Sequence, residues 1–227
     1  MPTKGADLLI LAAHAPELLG LRGALGSGLS GVVRGLRVVC ATVGVGLPAA
    51  GGGTMRHVRD ARPRAVLLLG SCGLYPRRGE WKPLLPVIPK GIRLVDPTVL
   101  ADKAAFPAPM QLLLDADKPL ADGLAQVEPS ALRGEVATTL SITTDDQLAG
   151  RLGRKSGCCA ENLEAFSVAL ACAARDLPFA SLLVSTNAVG SSGREQWSKH
   201  QRKAAERGAR VVLEWLERGA RGLAARS

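Results

Sequence analysis

The chain has 227 residues, 47% of them hydrophobic and 22% charged, which fits one globular domain over residues 1–227, large enough for a central sheet covered by helices. With 26 Gly and 3% aromatic residues, its core must come from small aliphatic side chains rather than rings. The net charge of +9 raises the question of nucleic acid, but the excess sits in Arg-rich helical stretches without interleaved aromatics, so no nucleic-acid partner is expected. A small anionic substrate would gain from the same field. The five cysteines, at 40, 72, 158, 159 and 172, are odd in number and lack CxxC spacing. They form no metal set with the scattered His14, His57 and His200, so no metal is expected and a reducing cytoplasm is the natural compartment.

In chain order, LLILAA (8–13) reads as a buried strand. Lys4 and the run after it imitate a signal segment, but Asp7 precedes the run, Glu17 soon follows and the run is short, so no membrane association is expected. PELLGLRGAL (16–25) reads as a helix opened by Pro16, and RVVCATVGVG (37–46) as a second strand ending in glycines. Gly44, Gly46 and the run Gly51 to Gly53 are expected to interrupt the chain before a helix over TMRHVRDA (54–61). AVLLLGSCG (65–73) is the most apolar strand. Strand, glycine turn, helix, strand implies parallel pairing and an α/β fold.

The Pro-, Lys- and Arg-rich middle, 74 to 130, reads as short strands on a long excursion. ATTLSITTDD (137–146) reads as a strand ending in polar residues, with Asp145 and Asp146 as caps of the next helix. Residues 160–193 place Glu164 at the head of an apolar helix and Ser185-Thr186-Asn187 directly after an apolar strand. Residues 194–224 read as one amphipathic helix carrying Trp197, Val211, Val212, Trp215 and Leu216, with Trp197 serving packing or a subunit contact.

In open α/β sheets ligands sit beyond the carboxyl ends of the strands. The run-ends here are Ala13-His14, Val45-Gly46, Gly70 to Gly73, Thr143 to Asp146 and Ser185 to Asn187. Glu164, among Leu163, Phe166, Val168 and Ala169, must find a partner or a ligand hydroxyl, and a buried helix cap is the alternative. Glu17, after Pro16, is either an ordinary first-turn carboxylate or a proton acceptor. His14 is a turn residue or a substrate-orienting one. Cys72 acts as a nucleophile only if its thiolate is stabilised.

These run-ends, in order and spacing, resemble the nucleoside phosphorylase and nucleosidase superfamily. AAHAPELLGLR matches its Ala-x-x-x-Glu-x-x-x-Leu-Arg turn, GVGLPAAGGGT its Gly-Val-Gly segment, GSCG its Gly-Ser/Thr-Cys/Ala-Gly turn, and LEAFSV its Met-Glu-Gly helix start. STNAVG looks most like the Ser-Asn-x-Val-Gly turn of futalosine hydrolases, which release hypoxanthine from futalosine in the menaquinone pathway. The resemblance implies a single three-layer α/β/α domain with a central mixed β-sheet, no cofactor and a homo-oligomer. It also implies a purine nucleoside hydrolase. In that role Glu17 is the general base on water and Glu164 holds the ribose hydroxyls. Asn187 meets a 6-oxopurine, and Ser71, Cys72, Gly73, Leu163 and Phe166 line the substrate.

The chain departs from the family pattern in three places. Leu182 and Leu183 stand where nucleosidases have an Arg, Leu-Glu-Ala replaces Met-Glu-Gly, and no Phe follows Thr143 to Asp146, which leaves Phe166 or Tyr75 for stacking. Two alternatives stay open: a phosphorylase whose phosphate site uses Arg22 or Arg56, and a nucleoside-binding protein without turnover.

Overall fold

The computed structural model describes residues 5–76 and 81–224, so Lys4 lies outside the described residues. All ten strands found among them belong to one mixed sheet. The first strand, β1 (Leu8–Ala12), is buried along its whole length. Leu8, Ile10 and Ala12 enter the core on one face of the sheet, while Leu9 and Leu11 enter the core on the other. This two-sided burial explains why a parallel central strand reads as an unbroken apolar run rather than an alternating one.

The expected helix over 16–25 is a 3-10 segment, Ala15–Leu21, passing into a single α-turn, α1 (Arg22–Leu25). Two glycines and a capping carboxylate in ten residues leave little to hold a regular α-helix. A hairpin strand, β2 (Ser30–Val33), then pairs antiparallel with β3 (Leu36–Thr42), which runs parallel to β1.

Helix α2 (Leu47–Ala61) corrects one expectation: the Gly51 to Gly53 run lies inside the helix instead of preceding it. The reason is steric. A Cβ at Gly53 would meet the Val43 carbonyl oxygen at 2.3 Å, so glycine lets the helix seat directly on the loop after β3.

β4 (Ala65–Leu74) runs parallel to β1 and to the last strand, β10 (Phe179–Ala188). The middle excursion contains β5 (Pro86–Val87), β6 (Gly91–Leu94), the short α3 (Pro97–Leu100), β7 (Leu113–Asp115) and α4 (Lys118–Val127).

The strand expected over 137–146 is β8 (Glu135–Thr138), and its polar end is a loop leading to α5 (Asp146–Ser156), whose N-cap Asp145 accepts from Leu148 N. β9 (Ala160–Asn162) pairs with both β8 and β4 and delivers α6 (Ala165–Ala173). The terminal helix α7 (Gly193–Glu217) ends before the expected 224.

Helices α4 and α7 and the 3-10 segment cover one face of the sheet, with Trp215 fully buried there, and α2 and α6 cover the other. This is the three-layer α/β/α arrangement. Among the described residues no helix is long and apolar enough to cross a membrane.

Candidate active site

The carboxyl ends of β1, β4, β9 and β10 converge on a cavity of about 480 Å³. Its lining includes Glu17, Ser71, Cys72, Gly73, Leu163, Glu164 and Asn187, so seven of the eight residues singled out in the sequence share one cavity. The eighth, Phe166, is placed in the apolar core beneath α6, and its backbone N–H donates to Thr138 Oγ1. Tyr75, the other stacking candidate, is buried as well. Trp197, expected in packing or a subunit contact, lines the cavity, its ring 6.5 Å from that of His14 and tilted by 34°.

Glu17 turns back from the 3-10 segment to the end of β1. Its Oε2 accepts from Ala13 N at 3.0 Å and His14 N at 3.4 Å, and its Oε1 accepts from Ser71 N at 3.2 Å and Ser71 Oγ at 3.4 Å. Backbone donors at two strand ends thus fix a carboxylate that is only 7% exposed. Gly70 adjoins this carboxylate, and a Cβ there would stand in ordinary contact with Oε1 at 3.4 Å.

His14 Nδ1 lies 3.1 Å from Glu17 Oε2, an ion pair when the ring is protonated. Hydrogen bonding to Glu17 raises the imidazole above its ordinary range. Burial opposes the shift, and the charges of Glu17 and Glu164 add to it. A second hollow, about 550 Å³ between the 3-10 segment and α7, shares His14, Glu17, Ser71 and Trp197 with the first, so Glu17 is reached from two sides.

Glu164 stands at the N-cap of α6, yet its side chain makes no cap bond. Asn162 does that work: its Oδ1 accepts from Glu164 N at 2.9 Å and Ala165 N at 2.8 Å. The Glu164 carboxylate is therefore free to turn into the cavity, where Oε1 accepts from Gly46 N at 2.8 Å and Oε2 from Asn162 Nδ2 at 3.0 Å. Burial raises its pKa, the Gly46 N–H opposes that, and the charge of Glu17 adds to it.

Asn162 Nδ2 also donates to the Ser71 carbonyl at 3.0 Å, so one polar chain, Glu17–Ser71–Asn162–Glu164–Gly46, ties β1, β4, β9 and the α2 N-terminus together. Asn162 was not foreseen. Its signal in the sequence is an Asn three residues before an apolar helix, a helix-start pattern that the neighbouring Glu164 overshadows.

At the other end of the cavity, Ser185, Thr186 and Asn187 are the last residues of β10 rather than a turn beyond it, and the ladder to β4 shifts register between Ser185 and Asn187. Such an irregularity re-aims a side chain. Asn187 Oδ1 accepts from Thr186 Oγ1 at 2.7 Å and its Nδ2 donates to the Ala188 carbonyl at 2.8 Å, leaving the amide one acceptor and one donor position for a ligand.

Glu161, also unforeseen, lines the same end. Cys72 lines the cavity with its thiol pushed well up by burial, which leaves it protonated. Arg22 and Arg56, the phosphate candidates, fall outside the lining of the cavity.

The phosphorylase superfamily model matches residues 8–217, nearly the whole chain. The chain belongs to the phosphorylase superfamily. No curated protein sequence matches it. Among solved structures in this superfamily's fold, it is similar to Helicobacter pylori 5'-methylthioadenosine/S-adenosylhomocysteine nucleosidase, an aspartate-to-asparagine mutant holding 5'-methylthioadenosine in its active site. The TM-score is 0.83 at 16% identity, covering 95% of this chain and 100% of that one.

The Neisseria meningitidis nucleosidase, in complex with methylthio-immucillin-A, gives a TM-score of 0.80 at 19% identity, covering 93% and 98%. Futalosine hydrolase of Helicobacter pylori gives 0.82 at 15%, covering 93% and 97%. At these identities the superfamily likeness is one of fold.

Proposed function

We propose that the chain hydrolyses the N-ribosidic bond of a purine nucleoside, with a 6-oxopurine nucleoside such as futalosine as substrate and hypoxanthine as the released base. The observation that carries this reading is the pair of buried carboxylates, Glu17 and Glu164, held at 7% and 6% exposure on one cavity by a shared chain of hydrogen bonds. Two carboxylates with separate tasks suit cleavage through an oxocarbenium-like sugar.

In this mechanism Glu164 accepts from the ribose hydroxyls, which fixes the sugar over Ser71 and Leu163. The bond from C1' to the base breaks and its electron pair leaves with the base. Asn187 Nδ2 donates to the base as negative charge develops, and Oδ1 accepts from it. Water reaches Glu17 by replacing one of its two longest contacts, His14 N or Ser71 Oγ, both at 3.4 Å, then attacks C1', and its proton passes to the carboxylate. Trp197 supplies a ring beside the cavity, and the hollow behind Glu17 gives water a route to it.

Water is preferred to phosphate as nucleophile because Glu17 is surrounded by backbone N–H groups, Ser71 and His14. Phosphate transfer calls for forked cationic donors. A second reading, hydrolysis of a 6-aminopurine thionucleoside, is favoured by the likeness to nucleosidase structures, whose TM-scores match that of the futalosine hydrolase.

The test is base release from futalosine, inosine, adenosine and methylthioadenosine, with and without phosphate. Phosphate-independent release of hypoxanthine with free ribose as co-product supports the reading. Ribose 1-phosphate formed only with phosphate replaces it by a phosphorylase, adenine release selects the second reading, and binding without release points to a protein that only binds nucleosides.

A further inference from the structure

Glu17 is more fully occupied than an acceptor for a water proton should be. Ala13 N and His14 N reach Oε2, Ser71 N and Ser71 Oγ reach Oε1, and His14 Nδ1 stands a further 3.1 Å from Oε2. A carboxylate has about four acceptor directions, so these five groups leave no lone pair for water unless one of them withdraws. The imidazole of His14 is placed the other way round. Its Nδ1 is buried against Glu17, yet the side chain is 34% exposed, so the exposure belongs to the rest of the ring. That ring borders both the cavity and the hollow behind Glu17.

A proton on Nδ1 meets the Glu17 oxygen, so the neutral ring keeps its lone pair on Nε2. A buried carboxylate, an imidazole held through Nδ1–H and an open Nε2 form the arrangement in which an acid orients an imidazole for proton transfer. The imidazole also suits the task better than a carboxylate, because a general base acts best when its pKa lies near the operating pH. Hydrogen bonding to Glu17 holds the ring above its ordinary 6.5, against burial and with help from the charges of Glu17 and Glu164. Glu161 on β9 and Cys72 on β4 share the cavity with it, and α7 brings Arg194, Arg202 and Glu206. Arg202 and Glu206 pair with each other at 3.1 Å, and burial keeps the Cys72 thiol protonated.

We propose that His14 is a catalytic residue of the hydrolysis, whose Nε2 takes the proton of the attacking water while Glu17 holds Nδ1–H. The inference rests on the hydrolase reading and differs from direct transfer to Glu17 in where the proton comes to rest. An O–H bond of water breaks as its oxygen bonds to C1', the proton goes to Nε2, and the bond from C1' to the base breaks with its electron pair on the base. The imidazolium, stabilised by Glu17, then releases its proton to water in the hollow, and the departed base takes one up from solvent. The neutral ring is the working form, so activity is present above the raised pKa and lost as pH falls through it.

The experiment measures kcat/KM across acid and neutral pH for the wild type and His14→Gln, with futalosine, inosine, adenosine and methylthioadenosine as probes, and titrates the His14 ring of the free wild type by proton NMR. Wild-type kcat/KM should fall about tenfold for each pH unit below the NMR midpoint of His14. His14→Gln should lose about a hundredfold at neutral pH and show no limb at that midpoint. Protonation of Glu164 weakens both proteins alike, so the difference between the two profiles belongs to the ring.

A wild-type profile that runs flat through the NMR midpoint overturns the proposal, and decides alone should His14→Gln fail to fold. A folded His14→Gln whose limb stays where that of the wild type lies overturns it too, because a ring that only props Glu17 lowers the rate at every pH alike. Absence of hydrolysis of all four nucleosides removes the hydrolase reading and this role with it. Hydrolysis with its acid limb in the carboxylate range removes His14 alone.

Discussion

The two ends of the cavity are built differently. The end proposed to hold the sugar is a connected chain, in which Glu17, Ser71, Asn162 and Glu164 are joined through the Ser71 N–H and the Asn162 amide. The end proposed to hold the base is a row across three strands, Glu161–Gly73–Asn187, each wall supported from behind by its own group of hydroxyls and loops. A connected chain passes a disturbance along, whereas a row of separately supported walls confines it. Damage at the sugar end should therefore abolish chemistry, and damage at the base end should weaken or redirect recognition.

The largest effect is expected at Glu17. Glu17→Gln keeps one oxygen for the donors at Ala13 or Ser71 but cannot take a proton from water, so kcat should fall by about 10²- to 10⁴-fold, the usual worth of a general base. Binding of a nucleoside should change less than kcat, because the ribose and base contacts proposed above belong to Glu164 and Asn187. Single-turnover base release and calorimetric Kd, measured on the same preparation, check both halves. Unaltered turnover would remove Glu17 from the mechanism.

A pair of glycine substitutions compares the ends directly. Gly73→Ala introduces a Cβ 2.8 Å from both Asn187 Nδ2 and Val189 Cγ2, closer than carbon tolerates, and so moves the amide wall. A displacement of this order at a positioning group costs about a hundredfold in kcat/KM. Gly70→Ala meets Glu17 Oε1 at 3.4 Å and Leu183 Cδ2 at 3.6 Å, ordinary contacts, and should cost a small part of that. The expected order follows from the closeness of the two contacts and not from the end of the cavity they occupy, and the reverse order would show that the chain through Glu17 magnifies even an ordinary contact; kcat/KM of the two variants at matched thermal stability is the measurement.

How far the sequence shows these two ends follows from how each is encoded. Glu17, Gly46, Gly70 to Gly73 and Glu164 all lie within a few residues of a strand end, where an apolar run stopping at a polar or glycine residue is visible along the chain, although Gly70 to Gly73 are the last part of β4 and not the turn the family pattern suggests. Their mutual hydrogen bonds were not visible, but their convergence was.

The base end is spread over partners 88 and 26 positions apart, from Gly73 to Glu161 and from Glu161 to Asn187, and it exists only once the strand order β10–β4–β9 is known. Glu161 also lies in a strand of three residues, too short for any periodicity to announce. The place of Trp197 on the cavity was hidden for a related reason: an amphipathic pattern tells which face of α7 is apolar, and does not tell that its first turns overhang a cavity.

Acidity separates the ends more gently. In the proposed mechanism Glu164 must be ionised to accept two ribose hydroxyls, and burial, with Glu17 nearby, raises its pKa above the ordinary glutamate range. As pH falls it protonates earlier than a free glutamate would, so nucleoside affinity should begin to weaken above the unperturbed value of about 4.3. In the Glu17→Gln background one of the raising charges is gone, and the midpoint should move down. The same shift affects stability: between the unfolded and folded pKa the native state holds more protons, so this group's contribution falls as pH rises through the folded value. Affinity measured against pH in both backgrounds tests the direction, and a midpoint that moves upward would break the coupling between the two carboxylates.

The smallest effect is expected at Asp146, behind the base end. Its carboxylate accepts from Ser191 N at 2.8 Å and Ser191 Oγ at 2.9 Å, holding the loop that runs from Val189 to Arg194 along the cavity. Gly190 has a φ of +135°, and a Cβ there would lie 2.2 Å from Asp146 Oδ1, so the turn is built around the carboxylate.

Asp146→Ala releases two exposed hydrogen bonds and touches neither Glu17 nor Glu164, so KM should rise about two- to fivefold with kcat unchanged. The bonds from Ser191 N and then Ser191 Oγ hold the Asp146 pKa below the ordinary aspartate range, so the contact is present above that range and lost only as pH falls through the depressed value. The difference in KM between Asp146→Ala and the wild type should accordingly persist at mildly acidic pH, where Glu164 has begun to protonate. If kcat fell with KM instead, the loop would be acting on the sugar end, and the two ends would be coupled after all.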